Sequence, residues 1–113
     1  MAPRSPQSKP SFPTILVFGL DRTLVGAIRN GFYNVLEAYT QTDLLDVVRY
    51  HSRPIHLLLM DMSNDNRFLA ALLKQYRPTM QVLYVGHDEL PDVVPPELVV
   101  GTVDHFFANS KDI

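Results

Sequence analysis

The chain has 113 residues, fewer than the ~150 of a typical domain, which favours one compact domain over a multi-domain enzyme. Hydrophobic residues make up 46% and charged residues 19%, so the chain can bury a core. Ten basic and twelve acidic side chains give a net charge of −2 without a basic cluster, which argues against a nucleic-acid partner. The absence of cysteine excludes disulfides and cysteine-based zinc sites.

The N-terminal segment and the apolar runs indicate where the protein resides. Residues 1–13 contain four prolines among polar side chains, which predicts a disordered tail preceding a folded domain at residues 14–113. No apolar run approaches the ~20 residues that a membrane-spanning helix needs, and the N-terminus lacks the apolar core of a secretory signal. We therefore expect a cytoplasmic protein without a membrane partner.

After residue 13, short apolar runs alternate with amphipathic segments, a pattern typical of β-α units around a parallel sheet covered on both faces. The predicted strands have continuous or alternating apolar residues: 14–18, 33–38, 55–60, 81–85 and 102–107. The predicted helices have apolar residues three and four apart: 21–30, a segment capped by Thr42, and 68–76. We expect the leucines and aromatic residues of the third helix to lie in the core.

The last third of the chain is less regular. Pro91, Pro95 and Pro96 fall where a fourth helix is expected, and an interior proline costs a helix ~3 kcal/mol. Only six residues follow the predicted fifth strand, too few for a full covering helix. The sequence therefore predicts a disrupted fourth helix and a missing fifth helix.

Four sequence blocks resemble the receiver domain of bacterial two-component response regulators over residues 14–109. ILVFGLD (15–21) is similar to the first strand and acidic turn of that family, and HLLLMDM (56–62) to the strand that carries the phosphoacceptor aspartate. VLYVGH (82–87) looks like the fourth strand, and GTVDHFFA (101–108) like the fifth. The resemblance implies a doubly wound, flavodoxin-like sheet of five parallel strands in the order 2-1-3-4-5.

The resemblance also implies a site at the carboxyl ends of strands 1 and 3. A receiver needs an aspartate nucleophile, acidic residues that hold Mg²⁺, a hydroxyl after strand 4 and a lysine after strand 5. Here Asp61 matches the phosphoacceptor. By the same resemblance, the acidic pair falls on Gly19 and Leu20, with Asp21 one position late, the hydroxyl position is Gly86 and the lysine position is Ala108. The predicted pocket consists of Gly19, Leu20, Asp21, Gly86, His87 and Ala108.

A magnesium site is not expected, because Mg²⁺ requires near-octahedral oxygen ligation. Asp61 with the displaced Asp21 would supply at most a weak site. His87 is the one histidine near the predicted pocket, and we interpret it as an exposed loop residue. The others, His51, His56 and His105, are scattered without the spacing of metal ligands, so we interpret them as surface or strand-face residues.

The missing fifth helix predicts an exposed apolar face, and a large exposed patch usually marks an interface. The expected cover is a second copy of the chain or the N-terminal tail. The sequence thus predicts a non-enzymatic, receiver-like signalling domain that has lost orthodox phosphorylation and acts through protein contacts. A receiver that accepts phosphate on Asp61 is the alternative. The chain could also be a fragment of a longer regulator.

One rival belongs to a different class. FGLDRTLV (18–25) looks like the first motif of haloacid-dehalogenase-type phosphatases, which form an aspartyl phosphate. Gly19 occupies the nucleophile position of that motif, so only Asp21, the acid/base equivalent, is retained. A degenerate phosphatase fragment is therefore a remote alternative.

Overall fold

The computed structural model describes residues 12–31, 33–61, 64–85, 102–105 and 107–108. The helices and strands alternate along the chain: β1 (Thr14–Phe18), α1 (Arg22–Arg29), β2 (Asn34–Ala38), α2 (Gln41–Tyr50), β3 (Leu57–Asp61), α3 (Asn64–Tyr76) and β4 (Gln81–Val85). Residues 102–105 and 107–108 are also helical and are called the C-terminal helical segment. In the described ranges, no helix is long and apolar enough to cross a bilayer.

The four strands form one parallel sheet in the order β2-β1-β3-β4. Ile15 of β1 pairs with Val35 of β2 on one side and with Leu57 of β3 on the other. Both central strands are covered on both faces, which explains their continuous apolar sequences. The α/β class and a flavodoxin-like arrangement of these four strands are as predicted.

The two faces of the sheet carry separate apolar clusters. One cluster joins Ile15, Val17, Leu57 and Leu59 of the sheet to α1 and to Val103. The cluster on the opposite face joins strand residues to α2 and α3. Its buried side chains include Leu16, Leu58 and Met60 of the sheet and Leu44, Val48 and Leu73 of the helices. Alternation along β1 and β3 therefore divides the core between the two helical layers.

The C-terminal helical segment corrects the predicted fifth strand. The described residues within 102–107 are helical, and Val103 is fully buried on the α1 face. Phe107 packs on the same cluster, with its ring centroid 5.3 Å from that of Tyr33. Val103 and Phe107 lie four residues apart, which is about one helical turn. The prediction failed because an apolar run this short is compatible with either a strand or a helix.

This segment also corrects the prediction that the α1 face is left bare. Helical residues cover part of that face, whereas the homodimer expected through it stays a prediction. Pro91, Pro95 and Pro96, with the disrupted fourth helix predicted from them, lie outside the described residues.

Several predicted boundaries shift. Thr40, rather than Thr42, caps α2, because its side chain accepts a hydrogen bond from the Asp43 N–H at 3.1 Å. α3 begins at Asn64, four residues before the predicted start.

The last two residues of the predicted tail join the fold, since the carbonyls of Phe12 and Pro13 accept hydrogen bonds from Asn34 at 3.1 and 2.8 Å. Residues 1–11 lie outside the described residues.

The prediction that the apolar residues of α3 are core holds for only one side of the helix. Ala70 and Leu73 are buried against the sheet. Phe68, Leu72 and Tyr76 are exposed, although each was expected inside. α3 therefore presents an apolar stripe to its surroundings.

Tyr33 connects the C-terminal helical segment to the rest of the fold. Its hydroxyl donates a hydrogen bond to Asp104, and its ring is buried beside Phe107. Burial and this hydrogen bond raise the pKa of Tyr33 well above its ordinary value. The contact spans 71 positions in sequence.

Substitution of Tyr33 by phenylalanine is expected to lower the free energy of unfolding by about 1 kcal/mol, because it removes this hydrogen bond and keeps the ring. Urea denaturation measures the change. Tyr39→Phe is the matched control, since Tyr39 also donates to a carboxylate but is 56% exposed. An equal loss in both variants would contradict a structural role for the Tyr33–Asp104 contact.

Candidate functional site

The candidate site implied by the receiver resemblance comprises the carboxyl ends of β1 and β3, which lie next to each other in the sheet. Phe18, the last residue of β1, pairs with Met60 of β3. The chain therefore leaves β1 beside Asp61, which is the last residue of β3. After β1 the chain turns to the α1 face, and after β3 it turns to the opposite face. In open α/β sheets, ligands bind in the crevice that forms where neighbouring connections diverge in this way.

Asp61 is exposed where these connections diverge, and its carboxylate lacks an ion pair among the described residues. Partial burial raises the pKa of the Asp61 carboxyl above its ordinary value of 3.8. The Asp61 backbone carbonyl accepts a hydrogen bond from the Asn66 side chain at 2.7 Å. The strand end is thus tied to α3 through its backbone, and the carboxylate does not take part.

Gly19 makes the turn out of β1. Its φ angle is +61°, a left-handed conformation that residues with a side chain rarely adopt. Its N–H donates to the Ala38 carbonyl at 2.9 Å, which fixes the turn against β2. Gly19 therefore has a backbone role at the position where the receiver and phosphatase resemblances each place a carboxylate.

Leu20 and Asp21 also serve the fold. Leu20 is 6% exposed and packs in the cluster beneath α1, so a carboxylate at residue 20 would be buried among apolar side chains. The Asp21 side chain accepts a hydrogen bond from the Thr23 N–H at 3.2 Å and caps α1. Asp21 is exposed, and one of its carboxylate oxygens is engaged by the helix.

The remaining predicted pocket residues do not join this cluster. Ala108 is an exposed residue of the C-terminal helical segment, so it does not end a strand as the receiver resemblance implied. Gly86 and His87 lie outside the described residues. Within the described ranges, no group of three acidic, histidine or cysteine side chains could hold a metal ion. The structure thus places Asp61 and the segment 19–21 at the same edge of the sheet, after β3 and β1 respectively.

His56 and His51 both interact with neighbouring parts of the fold. The Nδ1 atom of His56 accepts a hydrogen bond from the Thr14 N–H at 2.9 Å, next to the start of β1. His51 follows α2, where burial, and then the charges of Arg77 and Arg53, lower its pKa. His105 is exposed on the C-terminal helical segment.

Sequence reasoning missed an open groove of about 440 Å³ between α1 and the edge strand β2. Six residues line it: Arg22, Val25, Gly26, Arg29, Glu37 and Tyr39. Tyr39 and Arg29 both donate hydrogen bonds to Glu37, and these contacts lower the pKa of Glu37. The hydrogen bond to Glu37 raises the pKa of Tyr39. The spacing of Arg22, Gly26 and Arg29 on one side of α1 is the signal that could have revealed it.

The pKa of Asp61 predicts a pH-dependent effect of Asp61→Asn. A raised folded-state pKa means that the ionised carboxylate costs stability at pH 7 and that this cost disappears once the carboxyl is protonated. Asp61→Asn is therefore expected to be at least as stable as the parent chain at pH 7, with no advantage at about pH 3. Urea unfolding at both pH values tests this, and a destabilised Asp61→Asn variant at pH 7 would contradict it.

The capping role of Asp21 predicts different results for two substitutions. Asp21→Ala removes the acceptor for the Thr23 N–H and should cost about 1 kcal/mol of unfolding free energy, whereas Asp21→Asn retains a capping oxygen and should cost much less. Thermal denaturation with and without Mg²⁺ measures both effects. Equal losses, or stabilisation by Mg²⁺ that depends on Asp21, would indicate a role beyond capping.

Comparisons with known proteins do not identify a family for this fold and site. No protein-family model matches the chain, and no match is found among curated proteins or among solved structures. The likeness to receiver domains therefore stays a resemblance of motifs, spacing and strand order.

Proposed function

We propose that this chain is a receiver-like signalling domain of the two-component type that has lost orthodox phosphorylation and acts through protein contacts. The observation that carries the proposal is the turn after β1. A glycine with a φ of +61° and a buried leucine occupy the positions where a receiver holds its acidic pair. Asp61 is left as the only matching functional side chain at this edge of the sheet.

Charge explains why this arrangement disfavours phosphoryl transfer. A carboxylate that attacks an anionic phosphoryl donor must overcome like-charge repulsion, which a metal ion and a lysine normally offset. Burial raises the pKa of Asp61, whereas a nearby cation would lower it. Ala108, at the position of the lysine, carries no charge. The carboxylate alone is a poor acceptor.

The same features argue for a non-enzymatic role. Gly19 cannot serve as the nucleophile of a haloacid-dehalogenase-type phosphatase, and the Asp21 side chain is engaged in capping α1. The proposed module would act in the bacterial cytoplasm without a resident Mg²⁺ ion. Phosphate acceptance on Asp61 is the competing function, favoured by the exposure of Asp61 at the end of a central strand.

Incubation with acetyl phosphate or phosphoramidate and Mg²⁺, followed by intact-mass measurement, separates the two functions. We expect no added phosphate, because no ion pair offsets the charge of the Asp61 carboxylate among the residues that the structure describes. A functional receiver domain treated in the same mixture verifies that the donor is active.

A stoichiometric adduct that disappears in Asp61→Asn would contradict the proposal. Asp46→Asn is the matched control, since Asp46 is an exposed carboxylate on α2 outside the site. An adduct retained equally in both variants would indicate non-specific modification, which agrees with an inactive site.

A further inference from the structure

Large apolar side chains are exposed mainly on one side of the molecule. Among the described residues, those most exposed are Tyr39, Tyr50, Phe68, Leu72 and Tyr76, and all except Tyr39 lie on α2 or α3. Phe68 is 79% exposed and Tyr50 69%. We call Arg49, Tyr50, Phe68, Leu72 and Tyr76 the α2–α3 patch.

The patch is continuous across the two helices. Phe68, Leu72 and Tyr76 are spaced four residues apart, so they form one ridge along α3. The Arg49 guanidinium lies 5.1 Å from the ring centroid of Tyr50 and 5.6 Å from that of Tyr76. Arg49 therefore joins the end of α2 to the end of the α3 ridge.

Arg77 fixes the relative position of the two helices. Directly after α3, its Nε donates to the Val48 carbonyl at 2.6 Å and its Nη1 to the Arg53 carbonyl at 2.8 Å, and its Nη2 donates to the carbonyl of His51. One guanidinium thus binds three backbone carbonyls at the end of α2. Because the patch is held in place before any partner binds, association would cost little ordering entropy.

We infer that the α2–α3 patch is the interface for a second copy of this chain, with the two α3 helices antiparallel about a two-fold axis near Leu72. The inference rests on the proposed function, because it names the protein contact through which the domain would act. In this arrangement Leu72 meets its own counterpart, and Phe68 faces Tyr76 of the other copy.

Charge complementarity selects the second copy as the occupant. Asp65 lies three residues before Phe68, in line with the ridge, at the end opposite Arg49. An antiparallel pair brings Asp65 of each copy towards Arg49 of the other, and it also opposes the two helix dipoles. A parallel pair would instead place like charges together. The surface is therefore complementary to itself under two-fold symmetry.

The composition of the patch also fits an interface. Aromatic residues and arginine are enriched at the centres of protein interfaces, where a few buried side chains supply most of the binding free energy. Ridges of residues four apart interlock with ridges of the same kind on a second helix. Polar residues of α2 and α3 would form the surrounding rim.

Sedimentation velocity of the full chain over a range of concentrations tests the inference first. We expect a reversible dimer whose dissociation constant rises on the order of tenfold or more in Leu72→Glu, because a charge is placed at the centre of the interface. Lys74→Glu is the matched control, since Lys74 lies on α3 away from the ridge and should leave the dimer unchanged.

A charge-exchange experiment separates pairing from folding defects. Asp65→Lys and Arg49→Glu should each weaken self-association, because each variant places like charges opposite one another. An equimolar mixture should form heterodimers, in which both contacts again join opposite charges. Failure of the mixture to associate better than either variant alone would contradict the antiparallel arrangement.

The absence of native cysteine permits a geometric test. Leu72→Cys should form an intermolecular disulfide under mild oxidation, because the two-fold axis brings residue 72 close to its counterpart, whereas Lys74→Cys should not. Equal cross-linking of both variants would contradict the predicted axis, and so would cross-linking of residue 74 alone.

Failure of this inference is distinguishable from failure of the proposed function. A chain that stays monomeric at every concentration, or whose monomer binds a different protein through the patch, overturns the second copy as occupant and leaves the phosphorylation result unaffected. A dimer unaffected by Leu72→Glu also overturns it. Phosphate uptake on Asp61 would overturn the proposed function while the dimer tests still stand.

Discussion

Burial of β1 and β3 on both faces is the constraint on which the rest of the structure depends. Ile15 and Leu16 point to opposite faces and are both fully buried, as are Leu57 and Leu58. Two such strands need a helical layer on each side. The chain therefore turns to one face after β1 and to the other after β3, and this divergence creates the crevice beside Asp61. The position of the candidate site follows from core burial alone.

The three residues that follow β1 each have a role in the fold. Gly19 allows a left-handed turn, Leu20 fills the core beneath α1, and Asp21 caps that helix. Each of these contributions stabilises the connection between β1 and α1. A metal-binding carboxylate at residue 19 or 20 would strain the turn or enter the apolar cluster.

Sequence patterns predicted the parts of the fold that local chemistry determines. β1 and β4 have their predicted bounds, because apolar runs flanked by polar residues, proline or glycine mark them clearly. The C-terminal helical segment was missed because its short apolar run is compatible with either period, and the deciding contact, Tyr33 to Asp104, is remote in sequence. For the site, sequence patterns identified Asp61 and Gly19 as candidate residues. The cap formed by Asp21 and the groove beside α1 are visible only in the three-dimensional structure.

α3 illustrates a further limit of sequence patterns. Phe68, Leu72 and Tyr76 form one apolar stripe, and Leu69 and Leu73 form another beside it. Periodicity identifies the helix and both stripes, but it does not indicate which stripe faces the sheet. Packing against β3 and α2 decides this, so the exposed stripe becomes visible only in three dimensions.

α3 runs from the candidate site to the end of α2, and the contacts at its two ends involve backbone carbonyls rather than the Asp61 carboxylate. At its beginning, Asn66 binds the backbone carbonyl of Asp61, and beyond its end Arg77 binds carbonyls at the end of α2. Neither contact involves the Asp61 carboxylate, so the position of α3 does not depend on the charge of that group. Arg77 thereby fixes α3 against the end of α2 through backbone carbonyls alone, and this support is independent of the side chains at the strand ends.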